Sequence, residues 1–183
     1  TFDVDTTRIN FFFDQSPELW NFLDQVIEQA GEGIDTITAR QIYSAILPAH
    51  VERLIVSGAL TGYNVSWNPT NDVRRKFIGN ELDNYIDASG AQSGFGGGYI
   101  HSTGFDQGEV VLDGGLGADT MIGGNIKTRY IVDNVNDVVV AGSRGDDLVV
   151  TSVSYTLSAN ADYLELIGSN AISGTGNARN NRL

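Results

Sequence analysis

The chain of 183 residues contains no cysteine. Neither a disulfide framework nor a thiolate metal site is therefore available, and any bound metal must be held by oxygen or by histidine. Histidine is itself scarce, with only His50 and His101 present. No H-E-x-x-H, no G-x-S-x-G and no carboxylate pair at a motif spacing occurs, so the enzymatic signal is poor. Basic residues are few: 11 Lys+Arg face 23 Asp+Glu, a formal charge of −12. That balance argues against a nucleic-acid surface, which needs the opposite sign, and makes cation binding a direct way to relieve self-repulsion. The one basic cluster, RRK at 74 to 76, reads as a solvated face. No apolar run approaches the roughly 20 residues of a membrane span. The opening TFDVDTT has neither Met nor a signal-like apolar region, as expected of a mature form or an excised piece.

Helix signals are equally sparse. One stands out, SPELWNFLDQVIEQAG, with Ser16 placed to cap, Pro17 at the first helical position, Glu18 near the positive end of the dipole and Gly31 as a stop. Leu19, Trp20, Phe22, Leu23, Val26 and Ile27 would form its apolar face. Elsewhere β-branched runs dominate: HVERLIVSGAL, RYIVDNVNDVVVAG, DDLVVTSVSYTL and DYLELIGSNAI, each bounded by Gly, Asn, Asp or Ser. Short strands with punctuation this frequent predict a mainly β, stacked architecture.

The chain also repeats itself. Residues 25 to 62 align with 137 to 174, so that Gly33, Asp35 and Ile37 fall on Gly145, Asp147 and Val149, and Tyr43 falls on Tyr155. After a two-residue slip, Leu47, Ala49, Leu54 and Gly58 fall on Leu157, Ala159, Leu164 and Gly168, which also sets His50 opposite Asn160 as a turn residue. Each copy runs into a G-N-x-x-[DN]-N turn, GNELDN at 79 to 84 and GNARNN at 176 to 181. Repeated units of strand and Gly/Asn turn stack as a solenoid.

Between the copies lies a glycine-rich stretch, VLDGGLGADTMIGG at 111 to 124. Glycine in a strand costs stability, so such a run needs a reason. From Gly114 it reads G-G-L-G-A-D-T-M-I, filling every specified position of the β-helix repeat G-G-x-G-x-D-x-U-x. Glycines let the backbone turn tightly and expose carbonyls, Asp119 supplies a carboxylate, and Met121 points inward. Such hard oxygen ligands suit Ca²⁺, which accepts irregular six- to eight-fold coordination at about 2.3–2.6 Å.

On these residues the chain resembles the hemolysin-type calcium-binding (RTX, repeats-in-toxin) family. The likeness rests on LDGGLGADTMIGG, on YIVDNVNDVVV after it, on GDDLVVTSVSYTLSANADYLELIGSNAISGTGNARNN and, more loosely, on GEGIDTITARQIYSAILPAHVERLIVSGALTG. The resemblance implies a right-handed parallel β-roll or β-solenoid with a short N-terminal helix, exported by a type I route from a Gram-negative bacterium. Such a chain stays unfolded where Ca²⁺ is scarce and folds outside the cell. It also implies that Gly115, Gly117 and Asp119 ligate the ion, with Asp113 and Asp133 as neighbouring candidates. GGNIKTRY departs from the pattern, with Ile126 and Thr128 where Gly and Asp are wanted, and GNELDN offers Asn84 in place of Asp. One or two ions are expected.

The organisation that follows is an N-terminal segment, 1–24, in which the helix starts, and an RTX-like domain, 25–183. In the latter, copies 25–86 and 137–183 flank an insert, 87–110, and the calcium-binding turn, 111–124. The insert carries Tyr99, His101, Asp106 and Glu109 and reads as a Gly/Ser-rich loop with ordinary polar residues. GNARNNRL is half of a family turn, leaving an open C-terminal edge for further repeats or for self-association. The leading functional expectation is a secreted calcium-binding module for folding, export or assembly of a larger extracellular protein. Two others stand beside it: a carbohydrate-binding or adhesive module using Trp20, Trp67, Tyr63 and Tyr99, and the non-RTX part of an extracellular polysaccharide-acting enzyme.

Overall fold

The structure, a computed structural model, describes residues 8–12, 30–31, 33–40, 44–60, 75–93, 109–143 and 146–183. All the secondary structure among them is β; the expected helix lies outside the described residues except for Ala30 and Gly31, which form a turn. In chain order the strands are β1 (Arg8–Phe12), β2 (Thr36–Arg40), β3 (Ala45–Ile46), β4 (Arg53–Leu60), β5 (Arg75–Asn80), β6 (Tyr85–Ser93) and β7 (Val110–Gly115). There follow β8 (Thr120–Ile122), β9 (Thr128–Val132), β10 (Val138–Val140), β11 (Leu148–Thr151), β12 (Tyr155–Thr156), β13 (Tyr163–Leu166) and β14 (Gly174–Thr175).

One six-stranded sheet runs β1-β2-β4-β6-β8-β10, a second runs β13-β11-β9-β7-β5-β3, and β12 pairs with β14. From β2 to β11 successive strands alternate between the two large sheets, and neighbours within a sheet are parallel. Parallel neighbours cannot be joined by a hairpin; here each crossover is a strand of the opposite sheet, an arrangement consistent with a β-solenoid. Val138 lies beside Thr120 and Thr128 beside Val110, so in each sheet the neighbouring strand recurs 18 residues on.

Register turns the alternating sequence pattern into apolar columns. Ile37, Leu54, Ile86, Met121 and Val139 lie at matching positions along the first sheet. Ala45, Phe77, Leu112, Tyr130, Val149 and Leu164 do so along the second. All of them belong to or pack on one buried core, each full-sized apolar side chain contributing about 1.5–3 kcal/mol by leaving water. A one-residue slip would turn a whole column outward, so these residues specify the stacking. β1, in the segment that sequence left unassigned, pairs with β2 and extends the first sheet.

Residues 87–93, read from sequence as the start of an insert, continue β6 against β4. The pairing steps from Ile55↔Asp87 to Ser57↔Gly90, an extra residue on the β6 side. That bulge breaks the two-residue period and hides the strand from pattern reading. Residues 94–108, including Tyr99, His101 and Asp106, lie outside the described residues, as do Trp20, Tyr63 and Trp67.

The two aligned copies share backbone conformation at paired positions. His50 and Asn160 both take positive φ, at 66° and 73°, and Gly58 and Gly168 at 87° and 94°. The two G-N turns also share one hydrogen-bond network. Asn80 N–H donates to Asn84 Oδ1 and Asn177 N–H to Asn181 Oδ1, both at 2.7 Å. The Asn80 amide spans the carbonyls of Pro48 and Val51 at 2.7 and 2.8 Å. That of Asn177 spans those of Ser158 and Ala161 at 2.6 and 2.8 Å. Asparagine suits this role because its carboxamide accepts from its own turn while donating to the turn before.

Candidate metal centre

Asp35, Glu52, Asn84, Asp119 and Asp137 each occupy the residue before a strand of the first sheet, so register stacks them in a column. Main-chain amides donate along it to the side chain one circuit later. Asp35 N–H reaches Glu52 Oε2 at 2.8 Å, Asn84 N–H reaches Asp119 Oδ1 at 2.7 Å, and Asp119 N–H reaches Asp137 Oδ1 at 3.0 Å. An acidic or amide side chain at a strand entrance thereby satisfies an amide that the sheet ladder leaves over.

The two aspartates at the end of the column differ in what remains. Asp137 Oδ2 accepts the amides of Asp133 and Asn134, both at 3.1 Å, so both of its oxygens are bonded. Asp119 is 1% exposed, yet its Oδ2 has no hydrogen-bond partner. Burial pushes its carboxyl up to about 7; the Asn84 amide opposes this, and the nearby charges of Asp137, Asp133 and Asp83 add to it. A buried carboxylate oxygen without a donor or a cation costs free energy that folding must offset elsewhere.

Sterics explain the glycines around it. A Cβ on Gly114 would overlap the Asp119 carboxylate, one on Gly115 would overlap the Asn80 carbonyl, and one on Gly117 would lie 2.5 Å from the Leu82 carbonyl oxygen. Gly115 and Gly117 also take φ of 84° and 121°. The turn therefore lies flat on the 80–83 turn of the previous circuit, where Ala118 N–H also donates to Asp83 Oδ1 at 2.7 Å. We expect Gly117→Ala to lose at least about 2 kcal/mol, from left-handed backbone strain and a backbone clash together. Urea unfolding measures it; a loss within 0.5 kcal/mol, roughly the ordinary surface range, would contradict this packing.

Of the residues expected to ligate, Asp133 is coupled by charge both to Asp119 and to Asp113. Asp133 is held above the ordinary carboxylate range by burial and by the charges of Asp137 and Asp113. Asp113 Oδ1 accepts Gly115 N–H at 3.1 Å. Sequence reasoning missed Asp137 and Asp83. The signal for Asp137 was present in the DVVV that it heads, which repeats the Asp-x-apolar tail of DTMI.

Among the described residues no three His, Asp or Glu side chains form a group that could hold a metal. An ion at Asp119 would thus need backbone oxygens beside the carboxylates. That donor set, all hard oxygen with an irregular arrangement, fits calcium and disfavours zinc or an octahedral magnesium site. Elsewhere, Glu109 is buried and pairs with Arg129 Nε at 3.2 Å. Arg75 is buried as well, so the RRK cluster is not one solvated face. No helix among the described residues is long and apolar enough to cross a membrane. No protein-family model, no curated protein and no solved structure matches the chain.

Proposed function

We propose that this chain is a secreted calcium-binding module of a larger extracellular protein from a Gram-negative bacterium, serving its folding, export or assembly. In this reading the strands wind as a right-handed parallel β-roll that becomes stable on binding Ca²⁺. The observation that carries it is the Asp119 Oδ2 atom, buried and unpartnered beneath a glycine turn pressed onto the preceding circuit.

Asp119 would hold the ion through Oδ2, with Asp113, Asp133 and the backbone of Gly115 and Gly117 as further candidates. Its Oδ1 is committed to the Asn84 amide, so the carboxylate is oriented before any ion arrives. Bound calcium supplies positive charge at a cluster that burial and mutual repulsion otherwise make unfavourable. In a chain of net charge −12, that term tips the balance between an extended and a stacked state. Stabilisation follows the free ion concentration by mass action, small in a calcium-poor cytoplasm and large outside the cell.

The test is a Ca²⁺ titration of chelator-treated protein, followed by far-UV circular dichroism and isothermal calorimetry. A gain of β signal coupled to binding is expected. A chain already folded and indifferent to Ca²⁺ would overturn the proposal.

A further inference from the structure

The outer face of the first sheet carries an arginine without a carboxylate. Leu54, Ile86, Met121 and Val139 face the core, so alternation turns the residues on either side of them outward. From β4 to β10, register arranges these in two columns. One holds Arg53, Tyr85, Thr120 and Val138; the other, two residues further along each strand, holds Ile55, Asp87, Ile122 and Val140.

The Arg53 guanidinium lies over the Tyr85 ring, 4.7 Å from its centroid, so it leans from β4 across to β6. Its Nε is buried without a hydrogen-bond partner. No carboxylate among the described residues pairs with it, whereas Arg129 and Arg179 each have one. A guanidinium fixed on an aromatic face is a preorganised fork for a carboxylate. Asp87 stands on the same face, and its Oδ1 accepts Ser89 N–H at 2.8 Å, which orients the side chain. At the far end of the face Val138 and Val140 are 50% and 47% exposed.

We propose that this face is the interface of a homodimer in which Arg53 of each copy pairs with Asp87 of the other. A two-fold axis along the stacking direction lays the two faces together with strands antiparallel, within the roughly 30° that sheet packing allows. It puts the first column of each copy over the second column of the other, strand for strand. On β6 this sets Tyr85, with the Arg53 guanidinium already over it, against Asp87 of the other copy. On β8 it sets Thr120 against Ile122, and on β10 Val138 against Val140. Each contact occurs twice. The same operation that satisfies both arginines covers the exposed valines, and this self-complementarity selects a second copy as the occupant. The net charge of −12 opposes association, but salt at about 0.15 M screens that repulsion beyond roughly 8 Å and leaves the close pairs. The surface is a sheet face, separate from the C-terminal edge, and it uses none of the candidate calcium ligands.

Sedimentation velocity of the full chain in millimolar Ca²⁺, over about 1–200 µM, tests this. The wild type should dimerise with concentration. Arg53→Glu and Asp87→Arg should each weaken the dimer at least about tenfold, Val138→Lys should abolish it, and Arg53→Glu with Asp87→Arg together should restore it, all with wild-type far-UV circular dichroism. Should Asp87→Arg fail to fold, Asp87→Asn, which keeps an acceptor for Ser89 N–H, must weaken the dimer in its place. A wild type that stays monomeric would overturn the proposal. So would a dimer that persists in Arg53→Glu and Val138→Lys, which would place association at another surface, or a charge swap no tighter than its single variants.

Discussion

Without calcium, the protein is expected to be most stable near pH 4 to 5 and to lose stability as the pH rises through 7. Asp119 and Asp147 are each pushed up to about 7 in the folded chain, foremost by burial, whereas in the unfolded chain they titrate near the ordinary value of about 4. Between those values the unfolded state sheds protons that the folded state keeps, so stability falls with pH across that window and levels off below it. Three units correspond to about 4 kcal/mol per group. Both residues are 1% exposed, so solvent screening reduces this little. Urea unfolding in chelex-treated buffer at pH 5 and pH 7.5 measures the difference. Millimolar Ca²⁺ should shrink it, because a bound cation compensates the ionised carboxylates. Stability that is flat or rises between the two pH values in calcium-free buffer would contradict the buried, unpartnered state of these groups.

Asp119→Asn should reverse sign with calcium. In calcium-free buffer at pH 7.5 the variant is expected to be more stable than wild type by about 2–4 kcal/mol, since it removes a buried charge but retains an oxygen for the Asn84 amide. In millimolar Ca²⁺ it should be the less stable of the two, having lost the charged ligand. Asp119→Ala separates the two roles of the side chain. It leaves the Asn84 amide without its acceptor, which costs about a further 1–3 kcal/mol, so it should fall below Asp119→Asn in both buffers. Thermal unfolding of the three proteins with and without Ca²⁺ checks this. An Asp119→Asn protein stabilised equally in both buffers would mean that Asp119 does not hold the ion.

Legibility from sequence followed how local each cause is. The strands in RYIVDNVNDVVVAG and DDLVVTSVSYTL could be read because alternation and the intervening Asn, Asp and Ser act within a few residues. Met121 could be placed in the core because it stands two positions after the turn's aspartate, on the inward side of the next strand. β6 beyond Asp87 could not be read, because its bulge is set by pairing with β4, some thirty residues earlier. At the candidate site, Asp119 stood out inside a complete glycine motif, but Asp137 and Asp83 lack one and were passed over.

What the sequence by itself determined is where the backbone must turn and which side chains must face inward. Gly115, Gly117 and the paired asparagines of the two G-N turns meet needs of backbone conformation and turn bonding, while the apolar alternation decides which side of each strand is buried. Only the tertiary structure decided which aspartates are left with an unsatisfied oxygen. Asp137 and Asp119 head similar strands, yet the first is saturated by the amides of Asp133 and Asn134 while the second is bonded on one side alone. The donor that Asp119 does have comes from a residue 35 positions earlier in the chain. Such partners meet only when circuits stack in register, so whether a carboxylate ends up satisfied or open to a cation is a property of the stack and not of the motif.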